Sequence, residues 1–289
     1  APATTQTILG VDPKGTSLLR LVSPSGDAHV SVSVADSTGV HPLGGGNATV
    51  AEGSTLEMPL DGASKDSTPI ALIVSSDREV VAQTTTITLG APWAERANAW
   101  IMRSSAAPAT LLTQAVIPGR ASLETMASSV LSTKPIRQTS LETKSGVSST
   151  HASLLLYAPV TDGDEAVAQE NGDGEQSAAP TPAVTPNIWA SPSPSPTPTG
   201  DAGDAQSTGV SASSPGAVPV TLGGRTLYLA PGAPTLVELP EAAGQVSAPT
   251  PIQAAVVISA DTAVGRMTTT WNVGTEGISA VSGSIRTVN

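Results

Sequence analysis

The sequence predicts an all-β protein. Two tandem antiparallel β-sandwich domains of immunoglobulin-like type are related by an internal repeat, and a disordered Pro/Ser/Thr-rich insertion interrupts the second. Three observations predict this. Apolar and polar residues alternate at period two along much of the chain, the mark of half-buried strands. Gly and Asp turn signals separate these runs at short intervals, as in antiparallel sandwiches. The same order of runs and turns also occurs twice. SLLRLVSP (17–24) is matched by SLLLYAPV (153–160), and VAEGSTLEMPL (50–60) by LAPGAPTLVEL (229–239). PIALIVSSDREVVAQTTT (69–86) is matched by PIQAAVVISADTAVGRMTTT (251–270) with small gaps. A repeat this long means one supersecondary plan used twice.

Residues 1–90 read as the first sandwich. Val30, Val32 and Val34 alternate with Ser31 and Ser33; Leu56, Met58 and Leu60 alternate with Thr55, Glu57 and Pro59. Ile70–Val74 is apolar on both faces and β-branched in part, as expected of a strand central to a packed sheet. Ser25-Gly26-Asp27, Gly44-Gly45-Gly46 and Asp61-Gly62 read as turns. Residues 91–133 form a connector with one or two extra strands, around Ala99–Met102 and Leu111–Ile117. It ends in a candidate helix over 121–132, with Leu123, Met126 and Val130 on one side. Residues 134–289 read as the second sandwich, with Ala254–Ile258 as its doubly apolar strand and the tail 277–288 as an edge strand. An insertion at about 169–216 enters its second-to-third-strand hairpin. Seven Pro fall between 180 and 198, alternating with Ser and Thr, so this segment is expected to be extended or disordered.

Composition narrows the function classes. The chain has no Phe, four Trp and two Tyr, so its cores must be built from Val, Leu, Ile and Ala. It has no Cys, which excludes disulfides, thiolate metal sites and a Cys nucleophile. The longest uninterrupted apolar runs hold five residues. A spanning helix needs roughly 20, so no membrane span is expected in the residues shown. The start at Ala1-Pro2-Ala3 suggests a processed chain, with a signal peptide or anchor outside these residues. Net charge is −11, but eight acids lie in 161–217; the other 16 face 13 bases, leaving about −3. A near-neutral fold therefore carries an acidic loop. With no basic patch to displace phosphate counterions, nucleic acid is not an expected partner.

The pieces Leu18–Asp27, Ala51–Leu60 and Ile73–Ala82, echoed by Ala230–Leu239 and Val257–Gly265, carry a resemblance. Together they resemble an uncharacterised family of exported actinobacterial cell-envelope proteins. The resemblance covers most of the chain outside the insertion and implies tandem β-sandwiches behind a signal peptide or anchor. Its motifs are turn and core patterns. They imply no activity and no functional residue.

The search for chemistry yields weak candidates. A Ser-His-Asp hydrolase needs a His beside a nucleophile elbow. His29 sits in a strand, His41 precedes Pro42 in an expected turn, and His151 falls in an expected loop, none beside a G-x-S-x-G. Glu57 and Glu238 lie on outward strand faces, one per domain, too separated for a glycosidase pair. DGDE (162–165) and NGDGE (171–175) offer oxygens without the spacing of a calcium loop. No catalytic, cofactor-binding or metal residue is expected. Trp93 and Trp100, seven apart, are candidate ligand or seam aromatics, and plugging the seam between the domains is the favoured reading. Thr181, Thr185, Ser191, Ser193, Ser195, Thr197 and Thr199 alternate with Pro and are candidate O-glycosylation sites.

These readings point to a non-enzymatic exported structural or protein-interaction module of the cell envelope. Its partner would be an unknown envelope protein or a cell-wall glycan; a carbohydrate- or peptidoglycan-binding module is the alternative.

Overall fold

Period-two patterning becomes strand along most of the chain, and each of two sheets is organised round one long bent strand. The computed structural model describes residues 1–13, 16–66, 68–89, 100–132, 147–160, 216–262, 265–274, 277–279 and 284–287. Ala1–Val160 and Ser207–Asn289 group as one unit. Thr161–Gln206, with all seven candidate O-glycosylation residues, lies outside the described residues.

The first sheet contains β1 (Ala3–Val11), β2 (Thr16–Val22), β3 (Ala28–Asp36), β4 (Gly39–Val50), β5 (Thr55–Pro59), β6 (Ile70–Leu89) and β7 (Trp100–Ala106). The second contains β8 (Leu112–Ile117), β9 (Val147–Tyr157), β10 (Val218–Leu222), β11 (Arg225–Leu229), β12 (Thr235–Glu238), β13 (Gly244–Thr262), β14 (Gly265–Gly274) and β15 (Gly277–Ser279). A last strand, β16 (Ser284–Thr287), returns to the first sheet beside β7. One helix, α1 (Arg120–Ser132), precedes β9. All named ladders are antiparallel.

The first part of β6 pairs with β1 and β3; its second part pairs with β2 and β7. Between them the ladder breaks: Thr5 faces Ser75 but Ala3 faces Val80. Extra residues on one strand bend it and curl the sheet. As a result Leu19 and Leu21 of β2 meet Val30, Val32 and Val34 of β3 in one inner core, with Ile70, Leu72 and Val74. β13 does the same in the second sheet. Its start pairs with β8 and β10, its end with β9 and β14, and the ladder jumps from Ser247–Gln114 to Ile252–Leu112. Leu154, Leu156, Val220, Val246, Val256 and Ile258 form its inner core.

Three local expectations are corrected. Gly44-Gly45-Gly46 is not a turn but part of β4. Ser31 pairs Asn47 while Ser33 pairs Pro42, so the run bulges opposite Val32. A Cβ on Gly46 would lie 2.6 Å from Val32 O, which is why a bare backbone is needed there. His41 and His151 lie in β4 and β9 rather than in a turn and a loop. The helix forms, and among its described side chains Leu123 and the partly buried Ala127 pack on the core while Met126 is 42% exposed; the Val130 side chain lies outside the described residues.

Leu154→Ala, at a fully buried inner position, should cost about 2–5 kcal/mol in chemical denaturation. Val116→Ala, on the exposed side of β8, should stay within about 0.5 kcal/mol. Equal losses would contradict this assignment of inner and outer faces.

Candidate functional site

Two constellations stand out among the described residues. The first closes the β3–β4 hairpin. Asp36 ends β3 with its side chain only 6% exposed. Its Oδ1 accepts from Thr38 N (2.9 Å) and Thr38 Oγ1 (2.6 Å). Its Oδ2 accepts from Ser64 Oγ at 2.6 Å and lies 3.0 Å from His41 Nε2, which must donate to a carboxylate. Asp66 joins in: its N donates to Ser64 Oγ and its Oδ2 accepts from Ser37 N. Burial by itself would raise the Asp36 pKa. The hydrogen bonds from Ser64, Thr38 and His41 outweigh it and hold the carboxyl well below the usual carboxylate range.

These are the residue types of a catalytic triad in the wrong order. Ser64 and His41 both reach the carboxylate, so the imidazole does not take the serine proton and no nucleophile is activated. What the cluster does is tie the loop before β6 to the hairpin tip. A G-x-S-x-G elbow beside a His does not mark this cluster in the sequence. The usable signal was Asp36-Ser37-Thr38-Gly39, an Asp opening a tight turn.

The second constellation is the seam where the two sheets meet. Ile70–Val74 and Ala254–Ile258 are apolar on both faces because each faces an inner core and then this seam. Leu9, Ala35 and Ala71 of the first sheet pack there on Leu155, Tyr157, Ala255 and Val257 of the second. Burial pushes the Tyr157 phenol up to about 12. Polar bonds cross the seam as well. Thr270 Oγ1 donates to Gly10 O at 2.9 Å, and Gly10 holds φ +76° with no room for a Cβ against Thr270. The short link between β7 and β8 is held from both sides. Ala109 N donates to Thr7 O, Gln253 Nε2 donates to Ala109 O, and Asn272 Nδ2 donates to Ala107 O and Pro108 O.

A small cleft opens beside Gly10, lined by Asp12 and by six hydroxyl side chains: Thr84, Thr86, Ser104, Ser105, Thr268 and Thr270. Its free space is about 10 Å³, room for one water and not for a sugar ring. Several of these hydroxyls are already engaged, Thr86 with Ser17 at 2.8 Å and Thr84 with Ala106 O at 3.5 Å.

The remaining sequence candidates are structural or undescribed. Glu57 pairs with Arg20 at 2.7 Å, and Glu238 with Arg120. Trp93 lies outside the described residues. Trp100 opens β7, and its side chain lies outside the described residues too. Trp271 packs on the second inner core.

A protein-family profile described as a family of unknown function, DUF5719, matches residues 1–158. The chain belongs to that family. The matched residues run from β1 through β9, so they take in most of the first sheet and the start of the second. No curated protein matches the chain. Among solved structures, the crystal structure of Thermotoga maritima 1070 is similar over 36% of this chain and 92% of that chain, at 14% identity and TM-score 0.27.

Asp36→Asn should cost about 2 kcal/mol, because an amide nitrogen cannot accept the Ser64 and His41 bonds. It should also change the acid limb. A depressed folded pKa contributes stability that is fully present above about pH 3.9, the unfolded Asp value, and is lost as pH falls towards the folded value. The wild type should therefore lose stability below about pH 4 more steeply than the variant. Parallel acid limbs in urea titrations would contradict the cluster's role.

Proposed function

We propose that the protein is a non-enzymatic, exported structural or protein-interaction module of the cell envelope. In this reading it is built from one immunoglobulin-like β-sandwich plan used twice. The observation that carries the second part is the pairing order. Around β6 stand β1, β3, β2 and β7; around β13 stand β8, β10, β9 and β14. β4, β5 and β16 add to the first set as β11, β12 and β15 add to the second. The break in the long strand is alike too: five residues against two in both copies. In each set the two halves of the curled sheet share one inner core, which supports reading each as a sandwich.

The envelope reading rests on composition and on the resemblance set out above. The Thr181–Thr199 tract of the insertion has the composition of an O-glycosylated spacer, which supports export. The described groups suit a scaffold better than a reactive site. Asp36, Glu57 and Glu238 are held in bonds that support the fold, and Tyr157 and Trp271 are used in packing.

Cross-linking on intact source cells, followed by mass spectrometry of the protein, tests the proposal. It should link the protein to neighbouring envelope proteins, with hexose increments mapping to 181–199. Recovery from the cytoplasm in a single unmodified mass would overturn the envelope reading. Capture on purified cell-wall glycan without a protein neighbour would favour the carbohydrate-binding alternative.

A further inference from the structure

We infer that the seam is a separable docking interface of fixed polarity, in which one β-sandwich unit receives another unit of the same plan. The inference rests on the duplicated plan proposed above. It names the surface on each unit that does the docking. The receiving face is the outer side of β1, β3 and the start of β6, with Leu9, Ala35 and Ala71. The inserted face is the outer side of β9, β12 and the end of β13, with Leu155, Tyr157, Ala255, Val257 and Leu236. The two faces come from different parts of the plan, so the contact is head-to-tail rather than two-fold.

Pairing identifies the inserted face on the first unit. Leu21 pairs with Leu56 and Ala82; Leu156 pairs with Thr235 and Ala254. One residue earlier, Arg20 pairs with Glu57 and Gln83, where Leu155 pairs with Leu236 and Ala255. The same spot of the same sheet is thus Leu against Leu in the unit that docks, and Arg against Glu in the unit that does not. Arg20 and Glu57 are 44% and 47% exposed and bonded at 2.7 Å. Thr85 likewise stands where the docking unit has Val257. The plan therefore folds with this face in water, and the apolar residues on the second unit serve contact rather than folding. Each unit also has its own inner core, separate from the seam cluster.

Only the docking unit's face could pack on the receiving face. Arg20 and Glu57, placed there, would be desolvated against Leu9 and Ala35. The charge pair thus gives the first unit an end that accepts no further unit, as terminal repeats of stacked arrays do.

The test imports the first unit's pair into the second, as Leu155→Arg with Leu236→Glu in the full chain. Tyr157 reports the seam through its phenol titration, read by ultraviolet absorbance. Tyr157→Phe identifies which of the two tyrosines is moving. Strand content by far-ultraviolet circular dichroism should be retained. The Tyr157 titration should fall from about 12 towards the ordinary value near 10, and heating should show two transitions in place of one. Leu9→Glu, from the receiving face, should produce the same Tyr157 shift. Retained strand content with Tyr157 still near 12 in both variants would overturn the docking inference alone. Loss of strand content in the double variant, with Leu9→Glu folded, would show that Leu155 and Leu236 do not occupy the positions of Arg20 and Glu57. That result would overturn the duplicated plan itself.

Discussion

A strand that is apolar on both faces must be covered on both sides, and this requirement organises the whole molecule. Ile70, Leu72 and Val74 point into one inner core while Ala71 and Ile73 point out. Ala254, Val256 and Ile258 point into the other while Ala255 and Val257 point out. Curling each sheet covers the inner sides. Among the described residues, the outer ones are covered by the other sheet and by Ala109 of the short link. Burying side chains such as Leu9, Leu155, Tyr157 and Val257 is worth on the order of 10 kcal/mol as an upper figure. That is comparable to the net stability of a whole domain, roughly 5–15 kcal/mol. The seam is therefore strong enough to make the two sheets unfold together.

Around this constraint the polar groups act as fasteners. The Asp36 cluster stiffens the hairpin that carries Ala35 to the seam. Thr270 meets Gly10 where no side chain would fit, and Gln253 and Asn272 hold the short link between the sheets. Their donors are spent on the backbone, while the buried amide oxygens of Gln253 and Asn272 have no hydrogen-bond partner among the described residues. In these contacts no base is set against a nucleophile.

Much of the strand content was legible in the sequence, because period-two alternation at Val30–Val34 and the doubly apolar runs directly encode burial. Phase was harder to read. The sequence match sets Ile252 beside Ile70, whereas pairing sets Ile252 at the break in β13, where β6 has Val80. The doubly apolar run opens β6 at Ile70–Val74 but closes β13 at Ala254–Ile258, so a sequence match that sets these two runs side by side lies half a strand away from the pairing order. A one-residue slip arises in the same way: Leu154 matches Leu18 in sequence but takes the inner position of Leu19. In a run such as SLLLY, both faces are apolar and the letters carry no inside-or-outside signal. The seam was sought in Trp93 and Trp100 because large aromatics usually fill such gaps. Both of those side chains lie outside the described residues; the described seam is filled by Leu9, Leu155, Tyr157, Val257 and three alanines, a choice visible only once the outer faces are known. Of the Asp36 cluster only the turn at Asp36–Gly39 was legible, since Ser64 and His41 meet the carboxylate only through the fold.

Native-state hydrogen exchange tests the central claim most directly, because it reads the stability of each long strand separately. If the seam couples the two sheets, the amides of Ile70–Val74 and Ala254–Ile258 should exchange with one common free energy, equal to that of global unfolding. Exchange in 254–258 at a clearly lower free energy, with 70–74 still protected, would contradict the account. It would mean that the second sheet opens while the first stands alone, and that the seam does not hold them together.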